Sequence, residues 1–110
     1  MRHCFEKRLG KTDRIHGWLE GDGKSIQAFS VAYDTCYAGI WHQLVRYATP
    51  QGRIEIVRRH RGRDQRHWLR LRPSADLSTA FLRARERVET FWPMYRMRFY
   101  QFVGANEQPN

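Results

Sequence analysis

Cysteine is scarce: only Cys4 and Cys36 occur in 110 residues. Two thiols do not make the disulfide framework that staples small secreted domains, which usually carry four or more. Long apolar runs are also missing, and no window approaches the roughly 18 consecutive apolar residues of a membrane-spanning helix. The opening Met1–Arg8 lacks the apolar stretch of a signal peptide. These absences lead us to expect a cytoplasmic, membrane-free protein with reduced thiols. Metal-ligand spacing is absent too. Cys4 and Cys36 with His3, His16 or His42 form no CxxC or HxxxH pattern, so no metal or cofactor is expected. A Cys36–His42 nucleophile is equally unsupported. Gly23-Lys24-Ser25 resembles the end of a phosphate loop, but Trp18 stands where the first glycine belongs.

Lysine is rare as well. Lys7, Lys11 and Lys24 stand against 17 arginines, and with 11 acids the net charge is +9. A planar guanidinium fork suits phosphate and stacks on bases, whereas an ammonium is a compact point charge. Length limits the chain to one domain spanning 1–110, and excludes a barrel enzyme of about 250 residues. Aromatics reach 14%, enough to fill a core although hydrophobic residues make up only 41%.

Residues 1–13 show no clear period and read as an N-terminal arm or short first turn. Arg14–Leu19 and Ser25–Tyr33 read as strands flanking a glycine-rich turn at 20–24. In the second strand Phe29, Val31 and Tyr33 share one face, with Ala28, Ser30 and Ala32 on the other. Asp34–Gly39 reads as a loop. Trp41–Thr49 then alternates, with Trp41, Val45 and Tyr47 on one side and His42, Leu44 and Arg46 on the other. Thr49-Pro50-Gln51-Gly52 signals a turn. Arg53–Arg59 follows with Ile54 and Ile56 inward, then a break at 61–64 and a strand over His67–Arg72.

After Pro73 the period becomes helical. Leu77, Ala80, Phe81, Ala84, Val88 and Phe91 form one stripe, Ser74 or Asp76 offers a cap, and Arg85 and Glu89 make an i,i+4 pair. Pro93 predicts a kink or a break into a second short helix carrying Tyr95, Phe99 and Phe102. Residues 104–110 read as a polar tail. The expected fold is α+β: an antiparallel sheet of four to five strands with a long C-terminal helix, kinked or broken near Pro93, packed on one face.

The densest chemistry lies in 53–72, where eight arginines meet two acids and hold two thirds of the net excess. Arg46, Arg53, Arg58, Arg59, Arg61, Arg63, Arg66 and Arg70 are the candidate nucleic-acid-binding residues, with Arg58, Arg59, Arg61, Arg63 and Arg66 on phosphates. Trp68 and Tyr47 are candidates to stack on unpaired bases. His67 with His60 would carry any proton transfer, since metal-free RNA cleavage needs a base, an acid and cations around the phosphorus. The expected partner is nucleic acid, RNA before DNA. The alternative is a non-enzymatic accessory or inhibitor module of a mobile element, whose basic face docks an acidic protein or whose aromatic C-terminal helix forms a homodimer.

Leu44–Leu69 resembles the central part of small bacterial toxins of the TumE type, in which two strands lead into a glycine-plus-charged, histidine-bearing segment. Here that segment reads Gly62-Arg63-Asp64-Gln65-Arg66-His67. A related uncharacterised bacterial family has an Arg-Tyr-Asp…His-Gly strand end and a helix ending in Trp…Tyr-Arg. This chain has Arg46-Tyr47, Gly52 and Trp92-Pro93-Met94-Tyr95-Arg96, with Ala48 in place of the acid and Gln51 in place of the histidine. The resemblance implies a toxin–antitoxin setting, an RNA-directed ribonuclease and an acidic antitoxin-like partner.

Overall fold

In the computed structural model, which describes residues 1–50, 53–70 and 77–107, six strands precede one helix. The strands are β1 (Arg2–Arg8), β2 (Asp13–Gly21), β3 (Ile26–Tyr37), β4 (Ile40–Ala48), β5 (Arg53–His60) and β6 (Arg63–Arg70). They form a single antiparallel sheet in the order β1-β2-β3-β4-β5-β6, each strand beside its sequence neighbours. The helix α1 runs from Ser78 to Glu107. The α+β class and the C-terminal helix agree with the sequence pattern; the strand count is six, not four to five.

The extra strand is β1. Residues 2–8 were expected to be an arm, because only Phe5 is apolar there. Pairing with β2 from Arg2↔Glu20 to Arg8↔Arg14 supplies what periodicity lacks. Two connections are tighter than expected. Ala38-Gly39 and Arg61-Gly62 each place two residues at positive φ between directly paired strand ends. That geometry matches the twist of a two-residue hairpin, so 34–37 and 63–66 are strand and not loop. Gly17 serves a different need: a Cβ there would run into the Ser30 carbonyl and the Phe5 ring.

A bulge between Tyr33 and Asp34 resets the β4 alternation. Val45 and Tyr47 point to the helix with His42, whose ring lies 5.0 Å from Phe99. Trp41 shares the opposite side with Arg46, a reversal of the expected grouping at that strand's start.

The helix stays unbroken through Pro93, and it extends to Glu107 where a tail was expected from 104. Residues 108–110, the turn positions 51–52, strand positions 71–72, and the capping candidates Ser74 and Asp76 lie outside the described residues. Leu77, Phe81, Ala84, Val88 and Phe99 are buried on the sheet. Phe91, expected in the same stripe, is 43% exposed; Trp92 packs in its place, 5.6 Å from Tyr33. Arg85 and Glu89 pair at 3.1 Å as their spacing predicts.

Asp13 fixes the helix to the sheet. Its buried carboxylate accepts hydrogen bonds from Tyr33 (2.6 Å), Thr35 and Thr12, and pairs with Arg96 of α1 at 3.4 Å. Burial, together with donation to Asp13, pushes the Tyr33 hydroxyl pKa far up.

Candidate nucleic-acid interface

A sheet of six strands is about 24 Å wide between its edges, and a helix with its side chains spans only about 10–12 Å. One helix therefore cannot cover the sheet. Here α1 lies across β3 and β4 and reaches β5, where Ile54 and Ile56 join the core; among the described residues the opposite face and the helix side of β6 carry no second layer. Alternation then assigns every arginine to one surface or the other.

On the open face, register aligns Arg2, Arg8, Arg14, Arg46, Arg53, Arg59, Arg66 and Arg70 with Trp18, Trp41 and Trp68. Acids stand among them. Asp34 and Glu55 are buried although no element of the described residues layers this face. Arg14 lies 3.0 Å from Asp34, and His16 Nε2 lies 2.8 Å from it, off the line of a hydrogen bond. Glu55 takes Arg46 at 3.3 Å and Arg66 at 3.5 Å; Arg2 pairs with Glu20 and Arg59 with Asp64. Each tryptophan lies under a guanidinium: Arg2 is 3.9 Å from Trp18, Arg14 4.1 Å from Trp41 and Arg53 5.5 Å from Trp68. The arginines thus serve as the missing layer, closing over their own carboxylates and rings.

The helix side of β5–β6 differs. Between α1 and the hairpin runs a groove of three adjoining cavities, about 520, 200 and 380 Å³. Tyr47, Ile54, Ile56 and Leu69 form its apolar floor. Arg58 of β5, Arg83, Arg87 and Arg98 of α1, and Arg61 with His60 at the hairpin tip line it. The tip reaches the end of α1, where Gly62 lies beneath the Phe102 ring. Partial burial opposes the Arg58 charge, but contacts with the Tyr47 and Tyr95 hydroxyls outweigh it and raise its pKa above the ordinary value. Among the described residues, no carboxylate lies within 4 Å of Arg58, Arg61, Arg63, Arg83, Arg87 or Arg98.

The eight arginines singled out from sequence therefore do not converge. Arg46, Arg53, Arg59, Arg66 and Arg70 lie on the open face, Arg58 and Arg63 on the helix side, and Arg61 in the turn. His60 pairs with Arg63, whereas His67 pairs with Ile56. The two histidines share the helix side but stand four positions apart, roughly 13 Å along the strands, too far to act as acid and base on one phosphorus. Tyr47 is buried and cannot stack on a base, while Trp68 is 48% exposed. Of the C-terminal aromatics, Phe99 and Tyr100 meet Tyr37 edge to face and the Tyr100 hydroxyl donates to the Cys36 carbonyl, while Phe91 stays 43% exposed. Among the described residues no three His, Cys, Asp or Glu side chains gather to hold a metal, and no helix is long and apolar enough to cross a membrane.

A family model matches residues 1–104. The chain belongs to the family described as Domain of unknown function (DUF7718). No curated protein and no solved structure matches it.

Sequence reasoning missed Arg83, Arg87 and Arg98. Their signal was helical: positions 83, 87, 94 and 98 fall on one flank of α1, beside the buried stripe.

Proposed function

We propose that this protein binds RNA in the groove between α1 and the β5–β6 hairpin, with phosphates on Arg58, Arg83, Arg87 and Arg98 and an unstacked base against Leu69, the half-exposed apolar residue of its floor. One observation carries the reading: these arginines have no carboxylate partner among the described residues, while those of the open face are largely neutralised in place. An unneutralised guanidinium row gains the most from a polyanion, because each phosphate it meets releases a counterion. The apolar floor suits bases that have left a duplex, since unpaired nucleotides present their faces to side chains. Binding needs no cleavage. With His60 and His67 apart, and with Ala48 and Gln51 in place of the acid and histidine of the resembling family, no ribonuclease step is assigned to them.

The test is fluorescence anisotropy with labelled single-stranded RNA at about 50 and 200 mM salt. Affinity should fall steeply with salt, and Arg83→Glu/Arg87→Glu should weaken it more than Arg14→Ala or Arg46→Ala. Equal loss from both pairs, or an affinity indifferent to salt, would overturn the reading. Poly-glutamate competing as well as RNA would instead favour the alternative of an acidic protein partner at this groove.

A further inference from the structure

β6 is the barest element of the fold. All eight of its residues are exposed, Trp68 at 48% and Leu69 at 50% among them. Among the described residues it bonds to β5 on one side only, so its outer edge offers unpaired backbone donors and acceptors there. The Arg61-Gly62 turn closes on the pair His60↔Arg63. In a two-residue hairpin this closing pair exchanges backbone bonds inward, so the N–H and C=O of Asp64, Arg66, Trp68 and Arg70 point outward. We infer that this edge pairs antiparallel with β6 of a second copy of the chain, about a two-fold axis at His67, so that two six-stranded sheets become one of twelve.

Register selects the pairing. A two-fold axis between antiparallel edges keeps both helices on one side of the joined sheet, so helix-side residues oppose helix-side residues and open-face residues oppose open-face residues. Only two such registers join seven residues of β6. One sets Arg66 opposite Arg66 of the second copy, a like-charge contact on the axis. The other sets His67 on the axis, Asp64 opposite Arg70 of the second copy, and Arg66 opposite its Trp68, each contact occurring twice. Asp64 is the sole acid of the strand, and among the described residues its ion pair is with Arg59, at a loose 3.6 Å. Arg70 has no carboxylate within 4 Å among the described residues. The second register therefore supplies a charge partner to Arg70 and a cation to the exposed face of Trp68. α1 packs on β3, β4 and β5 and meets the hairpin at its Gly62 tip, whereas every residue of β6 is exposed. Pairing also brings the two arginine grooves onto the same side of one sheet.

The experiment uses the full chain without RNA, so its outcome leaves the reading of the groove untouched. Sedimentation equilibrium over a dilution series should show reversible dimers. Asp64→Arg and Arg70→Asp should each weaken dimerisation about tenfold or more, since each change puts two like-charge pairs into the interface. The double variant Asp64→Arg/Arg70→Asp exchanges the signs and should restore dimerisation. In a Cys4→Ser/Cys36→Ser background, His67→Cys should oxidise to an intermolecular disulfide. The expected Cα separation of an opposed non-hydrogen-bonded pair, about 4.5 Å, falls within disulfide range. Gln65→Cys alone should not cross-link, but it should do so when mixed with Leu69→Cys. Circular dichroism confirms that each variant is folded. A monomer at every concentration, a dimer indifferent to both single charge changes, or equal cross-linking at 65 and 67 would overturn the inference.

Discussion

The open face of this sheet and the groove beside α1 both carry arginines and use them differently. On the open face Asp34 and Glu55 are sunk beneath Arg14, Arg46 and Arg66, and three tryptophans lie under guanidinium groups. In the groove beside α1, no acid of the described residues approaches Arg58, Arg83, Arg87 or Arg98 within 4 Å. Arginine count is thus a poor guide to where guanidinium charge is left unneutralised, and the positions of the acids are the better one. Surface ion pairs are each worth little, but a buried carboxylate that loses its cations is expensive. The open face consequently reads as structure, while the groove keeps guanidinium groups with no carboxylate partner among the described residues.

The largest expected effect tests the anchor on which the groove wall depends. Asp13→Ala leaves the Tyr33 and Thr35 hydroxyls without their acceptor and Arg96 without its carboxylate, and should cost about 3 kcal/mol by urea denaturation. Next comes Glu55→Ala, which strands Arg46 and Arg66 on the open face. It should destabilise by about 2 kcal/mol, discounted for the exposure of both guanidinium groups, while RNA affinity changes less than twofold. Arg83→Glu/Arg87→Glu should do the reverse. Stability should stay within about 0.5 kcal/mol, as for most surface changes, while the logarithmic salt slope of RNA binding falls by about 2, one for each lost phosphate contact. If Glu55→Ala instead abolished RNA binding and the groove variant did not, the two faces would exchange roles. The smallest effect concerns the hairpin tip. Arg61→Gly removes a side chain from a positive-φ position and should raise stability by about 0.5–1 kcal/mol, with the folded groove retained.

Much of this division was legible in the sequence, and the losses have physical causes. The alternation of 29–33 and 53–59 gave the correct faces because those strands are regular. Trp41 was misplaced by a one-residue bulge, an insertion that leaves no mark in composition. β1 was hidden because its partner, not its own periodicity, makes it a strand. Two-residue turns built on Ala38-Gly39 and Arg61-Gly62 looked like longer loops, since alanine and arginine are unusual at positive φ. The candidate site suffered most. Alternation predicts which side a residue takes, but not which side the helix covers, nor which acids reach across from neighbouring strands.

Because every strand lies beside its neighbours in sequence, each step in building the sheet is a hairpin closing a short loop, and none waits for a distant segment. Such local assembly is entropically inexpensive and favours a fast transition. The distant step is the arrival of the helix, whose Tyr100 must find Cys36 across 64 positions. Late docking of α1 would leave a ribbon of six strands with its apolar side bare, the state most open to clumping with its own kind. A chain halted before residue 78 should therefore accumulate as aggregate, although every strand it needs is already present.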